Sequence, residues 1–507
     1  MKPAELIEGL SRADAYPFPV ERVEVRQTHI SVVFRAGERA YKVKKPVTFP
    51  FLDYGTPELR KHYCHEEVRL NRRWAPDVYL GVTPIVERGG RLRVGGEGAV
   101  VEHAVEMRRL PDEASLGSLL LEGRVDRALV EELGRRVAGF HETAGRTGPA
   151  GAFGQVARNL RENLEVSGPG PPLLARLLRR VESELARLRA RIDARPVCET
   201  HGDLRLEHVY RFPDRRPPAD LIAIDGIEFN ERFRRIDPVS DMAFLRTDLV
   251  AHGRRDLAEA FTESYFRASG DEAGRELLAL YSSYRAAVRA KVQALKSREE
   301  EIGEEERERA ERRSRRWWLL ALSEIEAPGR RPCLALTAGL PGTGKTTLAR
   351  ALAQEAGFEL IRSDIVRKEG GGRGDLYGPE QVRETYTECL RRAEAIVLEG
   401  GRALVDATFR AEEERLRFQR AAEACGVPFL IFHCTLRAEA ARARLAARRG
   451  DASDADPAVH DELARRWEPF GSGTLPRVRE IDSSLPPSAS AARALDALRA
   501  EGLLGVP

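Results

Sequence analysis

Eight consecutive residues constrain this chain more than any other feature. Gly339-Leu340-Pro341-Gly342-Thr343-Gly344-Lys345-Thr346 lies between an apolar run at 333–338 and a helical pattern at 347–353. Strand, glycine-rich loop and helix in that order form a phosphate-binding loop. Its glycines let successive backbone N–H groups turn inward on a polyphosphate, and the helix that starts near Lys345 adds its positive end. The spacing assigns the parts. Lys345 reaches the β- and γ-phosphates, Thr346 ligates the metal, and Gly339, Pro341, Gly342, Thr343, Gly344 and Thr347 complete the cradle. The ligand implied is a nucleoside triphosphate with Mg²⁺.

Beyond residue 327, segments at 358–361, 403–405 and 428–433 read as short buried strands and alternate with helix-length segments such as 379–399 and 411–424. That alternation predicts an α/β domain with a parallel sheet over 327–507. Ahead of it the order differs. Residues about 20–48 predict three antiparallel strands with a tight turn at Ala36-Gly37-Glu38, and most of 115–325 predicts helix. A small sheet-rich lobe over about 1–108 and a helical lobe over about 109–326 follow. The segment from Lys296 to Leu322 places acidic residues ahead of basic ones at helical spacing. It reads as a long solvated helix ending at Ala327-Pro328-Gly329, or else as a disordered tether.

With 507 residues and 42% hydrophobic content, the chain exceeds what one core organises, so two or three domains are expected. No run approaches a membrane span and the N-terminus lacks the apolar stretch of a secretory signal, which places the expectation in the cytoplasm. The six cysteines show no metal-type spacing and read as small buried hydrophobes in a reducing compartment. A net charge of +3 is too mild to demand a nucleic-acid partner. Only nine of the 83 basic residues are lysine, so a lysine such as Lys345, or the cluster Lys42, Lys44 and Lys45, stands out.

In the C-terminal domain, Asp364 follows the second strand at the carboxyl edge, where open parallel sheets bind ligands. A carboxylate there can take a proton from an acceptor hydroxyl, with Arg367 holding the acceptor; alternatively Ser363 or Asp364 caps the next helix. Asp406 ends the following strand and can hold Mg²⁺ through water. Arg444 and Arg448 are four apart on an arginine-rich helix, as a lid over phosphates needs, or are plain solvated charges.

In the N-terminal part, Asp203 and Asp225 stand about twenty residues apart near short strands. Metal-assisted phosphoryl transfer needs one acid to orient the acceptor and one to hold Mg²⁺. Lys42 and Lys44 alternate onto one strand face. Lys42 is the candidate for the ATP phosphates, paired with Glu67 rather than Glu66; otherwise the strand is a solvated basic edge.

The C-terminal residues resemble the small P-loop kinases that include polynucleotide kinases, gluconate kinase, chloramphenicol phosphotransferase and zeta toxins. The resemblance covers about 332–504 and implies the roles given above for Asp364, Arg367, Arg444 and Arg448. His201-Gly202-Asp203 through His208, with Asp225, resembles aminoglycoside phosphotransferases. It implies an α+β, protein-kinase-like bilobal fold, Asp203 as base, Asp225 as magnesium ligand, and Asp237 and Asp241 as braces. Two departures stand out: His208 occupies the position of a metal-binding Asn, and Arg205 that of a His. Imidazole is a poorer partner than an oxygen for a hard cation. The whole chain, with Lys44-Lys45-Pro46-Val47 and residues 67–73, resembles bacterial proteins that fuse these two domains. The activity implied is ATP-dependent phosphoryl transfer to a hydroxyl on a small molecule or on a polynucleotide end, at two sites. The alternative is an ATP-driven binding or regulatory switch with a degenerate N-terminal cleft.

Overall fold

The computed structural model describes residues 3–147, 152–165, 171–299, 302–369, 379–447 and 456–505. The chain forms two compact units, one made of residues 1–156 and 188–281, the other of 157–187 and 282–507. The expected boundary near Ala327 falls inside the second unit, so residues 157–187 and 282–326 group with the phosphate-loop domain.

The first unit is built on a six-stranded antiparallel sheet. Its order is Val23–Gln27, Ser31–Ala36, Arg39–Lys44, Ala99–Arg108, Tyr79–Arg88, Arg91–Val94. Gly37, at φ +55°, makes the turn between the second and third strands, a conformation that glycine adopts without steric cost. Strand alternation sorts the residues. Val32, Phe34, Tyr41 and Val43 face a core with Leu6, Leu10 and Ala104, while Ala40 and Val105 face Cys64 and Val68 of the helix Pro57–Asn71. Lys42 and Lys44 share parity with Ala40, so they point toward that helix. Thr56 starts the helix by accepting a hydrogen bond from the Leu59 N–H, and Pro57 occupies its first turn. Farther along, Val209–Arg211 pairs with Leu221–Ala223, which sets His201–His208 before one short strand and Asp225 after the other.

The second unit carries a five-stranded, wholly parallel sheet in the order Glu359–Arg362, Arg402–Asp406, Cys333–Ala338, Phe429–Thr435, Val478–Asp482. All six residues of the central strand are buried, as a strand covered on both faces requires. The helices Lys345–Ala356 and Pro487–Ala500 share a core with it through Leu348, Leu352, Leu495 and Leu498. The charged segment differs from its expectation. Lys296 ends one helix, and the next runs Glu304–Ile325, with Trp317 through Ile325 buried. Its first turns are solvated, but its last turns, apolar in sequence, are core. The strand Val478–Asp482 was not signalled, because an edge strand spelled Val-Arg-Glu-Ile-Asp shows little apolar pattern.

Candidate functional sites

Register brings the C-terminal site together. Thr337 lies opposite Asp406, and Asp406 opposite Arg362, so three neighbouring strands end level at the carboxyl edge. The phosphate loop leaves from the central strand. Gly339 has φ +140° and Gly342 φ +84°, and a Cβ on either would come within 2.5 Å of the Cys434 carbonyl oxygen or 2.6 Å of the Ala441 carbonyl oxygen. Both positions therefore exclude any side chain. Thr346 Oγ1 donates to Asp406 Oδ2 at 2.7 Å, and Thr337 Oγ1 donates to Asp406 Oδ1 at 2.9 Å. Lys345 Nζ lies across the loop on the Leu340 carbonyl at 2.8 Å, and the Thr343 hydroxyl donates to the same oxygen.

Thr346 and Asp406 offer a hydroxyl and a buried carboxylate whose oxygens already converge. That donor set suits a hard cation such as Mg²⁺. Asp364 sits in the first turn of Ser363–Glu369, with its side chain 24% exposed, and Arg367 Nη2 donates to its Oδ1 at 2.7 Å. Arg444 donates to the Ser483 carbonyl at 2.9 Å, and its guanidinium lies 3.7 Å from where a Cβ on Gly344 would stand. Arg448 lies outside the described residues, and Thr347 is exposed on the helix that follows the loop.

In the N-terminal unit, Lys42 Nζ lies 2.9 Å from Glu67 Oε1 and also pairs with Asp225. Glu66 instead pairs with Arg69. Glu67 is fully buried and holds two lysines, because Lys44 Nζ reaches its Oε2 at 2.7 Å and also pairs with Glu228. Lys44 drew no role from the sequence, where it looked like its neighbour; only the fold shows it buried. Burial works against the charge of Asp225, yet the Lys42 charge and hydrogen bond, with the Arg205 charge behind them, outweigh it and hold the carboxyl far below its ordinary range. Asp225 takes φ +65°, with its N–H donating to the Tyr79 hydroxyl at 3.0 Å.

The loop 201–208 is pinned from beneath. Asp241 accepts the His201 and Gly202 N–H groups at 3.1 and 2.7 Å and contacts His141 Nε2 at 3.0 Å. Asp237 caps the helix Pro238–Ala251 and pairs with Arg195 at 2.8 Å. Asp203 is paired with Arg205 at 3.0 Å. His208 does not fit a metal position: its Nδ1 donates to the Asp203 carbonyl at 2.9 Å, and its Nε2 accepts from Arg205 at 2.7 Å. Burial first and the Arg205 charge second push His208 down to about 4, so it is neutral near pH 7. Asp203 and Asp225 both carry carboxylate oxygens of the kind that suits Mg²⁺, and each already has a cationic partner, Arg205 and Lys42. Among the described residues no group of three or more His, Cys, Asp or Glu is arranged to hold a metal.

The fold and the loop define a P-loop α/β domain in the C-terminal part, and residues 334–470 match the family described as "AAA domain". The protein Rv2004c of Mycobacterium tuberculosis (strain ATCC 25618 / H37Rv) is 31% identical over 506 residues, covering 95% of this chain and 96% of the relative. The chain belongs to the same family as that protein. A shikimate kinase of Thermobifida fusca (strain YX) is 36% identical over 88 residues, which are 16% of this chain and 51% of that enzyme. A sugar kinase structure from Janibacter sp. HTCC2649 matches at TM-score 0.29 and 19% identity, over 34% of this chain and 99% of its own. Among the described residues no helix is long and apolar enough to cross a membrane.

Proposed function

We propose that the C-terminal site transfers the γ-phosphoryl group of ATP to a hydroxyl of a small molecule. Backbone N–H groups of the loop beyond Pro341 and the Lys345 ammonium bind the triphosphate, while Arg444 flanks the loop. Thr346 and Asp406 would hold Mg²⁺, which when bound neutralises charge on the phosphates. The acceptor oxygen attacks the γ-phosphorus, the bond to the bridging β,γ-oxygen breaks, and ADP leaves with that electron pair. The acceptor proton goes to Asp364, which Arg367 orients. The observation that carries this reading is the level ending of three strands, which sets Asp406 against Thr346 of the loop and starts the Asp364 turn just beyond the adjacent strand. The similarity to a shikimate kinase favours a small acceptor, and the near-neutral charge gives no pull toward a polynucleotide. The test is transfer of labelled γ-phosphate into a metabolite extract. A labelled small molecule, formed by wild type and not by Asp364→Asn, supports the reading; hydrolysis alone removes it. Labelling of an oligonucleotide end that weakens steeply with salt would instead identify a nucleic-acid kinase.

For the N-terminal unit a binding role has its own support. Asp203 is occupied by Arg205, Asp225 by Lys42, and both His208 nitrogens are committed. The full chain carrying Lys345→Ala separates the cases. Residual phosphoryl transfer would mark a second kinase site, and nucleotide binding without transfer would mark a binding or switching domain.

A further inference from the structure

A phosphate cradle works by facing its N–H groups to the ligand, so its carbonyls must be held elsewhere. A carbonyl swung inward sets its negative end against phosphate oxygens. Among the described residues, the Leu340 and Pro341 carbonyls of the loop have side-chain partners. The Leu340 carbonyl is met by Lys345 and Thr343, both from the loop itself, and Lys345 is the group that must move to the phosphates. The Pro341 carbonyl is held from outside. Nδ1 of His460, 119 residues downstream, lies 2.8 Å from it. A carbonyl only accepts, so Nδ1 carries the hydrogen. Proline has no N–H and a nearly fixed φ, which leaves its carbonyl as the handle by which this part of the loop can be steered.

The imidazole is itself well placed to steer. His460 is 1% exposed and sits in the helix Pro457–Arg465. The Asp456 side chain caps that helix by accepting from the Val459 N–H at 2.9 Å. An ion pair from Arg442 to Asp461 at 2.8 Å ties it to the helix Ala438–Ala446, which also supplies the Ala441 carbonyl beside Gly342. Two helices therefore meet the loop directly, one through a backbone contact and one through a buried hydrogen bond.

We infer that His460 is a positioning residue of the nucleotide site, holding the Pro341 carbonyl outward so that the loop is shaped for a polyphosphate before one arrives. The inference rests on the nucleotide reading of this loop. It predicts an effect on phosphate recognition that is separable from general stability. The experiment titrates the fluorescent nucleotide mant-ATP with Mg²⁺, and adenosine as a phosphate-free control, into the full chain. His460→Phe keeps a ring without the donor and is expected to weaken mant-ATP roughly tenfold, the scale of one lost buried hydrogen bond, with adenosine affinity kept. His460→Asn, whose amide N–H falls near the place of Nδ1, is expected to restore affinity to within about threefold of wild type. His460→Leu makes the same comparison where the phenylalanine is not accommodated. Wild-type mant-ATP affinity in the donor-less variants, or an equal loss for adenosine, overturns the inference. Failure of the wild-type protein to bind mant-ATP overturns instead the nucleotide reading beneath it.

Discussion

At the residue scale, Asp364 and Asp406 are two acids at one sheet edge in different surroundings. Asp406 accepts two threonine hydroxyls and is buried, whereas Asp364 accepts from Arg367 and its side chain is 24% exposed. Asp364→Asn is expected to lower turnover by about 10²–10⁴ while mant-ATP affinity stays within a few fold, the pattern of a lost general base. Parallel kinetics and fluorescence titrations check it. Thr337→Val keeps shape but leaves Asp406 Oδ1 without its hydroxyl partner, and about 1–3 kcal/mol of stability should be lost, read as a lower Tm and weaker Mg²⁺-dependent nucleotide binding. In the N-terminal unit, His208 is depressed to about 4 from an unfolded value near 6.5. Between those pH values the unfolded chain binds the proton and the folded chain does not. This contribution is thus complete above pH 6.5 and is lost as pH falls toward 4, with a slope approaching about 1.4 kcal/mol per pH unit. His201, lowered first by burial, acts in the same sense. Urea midpoints at pH 7.5, 6 and 5 measure the slope, and His208→Asn should flatten it.

At the element scale, close approach decides where propensity alone would mislead. Gly134 lies inside the helix Arg127–Thr143, where alanine is worth about 1 kcal/mol in propensity. A Cβ there would stand 2.8 Å from the Phe261 carbonyl oxygen and 3.0 Å from the Tyr265 nitrogen, both backbone atoms of the helix Arg255–Ser269. Backbone cannot swing aside as a side chain can, so Gly134→Ala is expected to cost about 1–3 kcal/mol despite the propensity gain. A rise in Tm would show that the two helices can separate freely. Elements were legible in the sequence to the extent that burial was two-sided. The runs at 334–336, 403–405 and 429–432 are apolar throughout because parallel strands are covered on both faces. The paired strands Tyr79–Arg88 and Ala99–Arg108 mix arginine and glutamate with apolar residues and were hidden until the sheet was assembled. His460 was hidden because a lone imidazole in a short helix carries no periodic signal.

At the scale of the whole molecule, the second unit joins segments far apart in the chain. Glu326, its side chain 2% exposed, pairs with Arg176 and Arg180, and Arg176 also donates to the Gly400 carbonyl at 2.7 Å. Removing a buried partner costs about 3–5 kcal/mol, and because the two arginines are 26% and 31% exposed and can turn to water, Glu326→Ala should fall at the low end. Calorimetry should show the loss as a shift of the transition belonging to this unit; an unchanged trace would mean that residues 157–187 contribute no stability to the phosphate-loop body. By itself the sequence determined the loop, its strand and its helix, since those roles depend on local spacing and on which backbone angles glycine permits. It also marked Asp203, Asp225, Asp364 and Asp406 as acids near strand ends. Only the tertiary structure decided which groups meet them: Thr337 beneath Asp406, Arg205 on Asp203, Lys44 behind Glu67 and His460 behind Pro341. Arg205 and Asp203 are two apart in the chain, but the other pairings join residues distant in sequence, and sheet register and helix packing, which no local pattern encodes, bring them within hydrogen-bond reach.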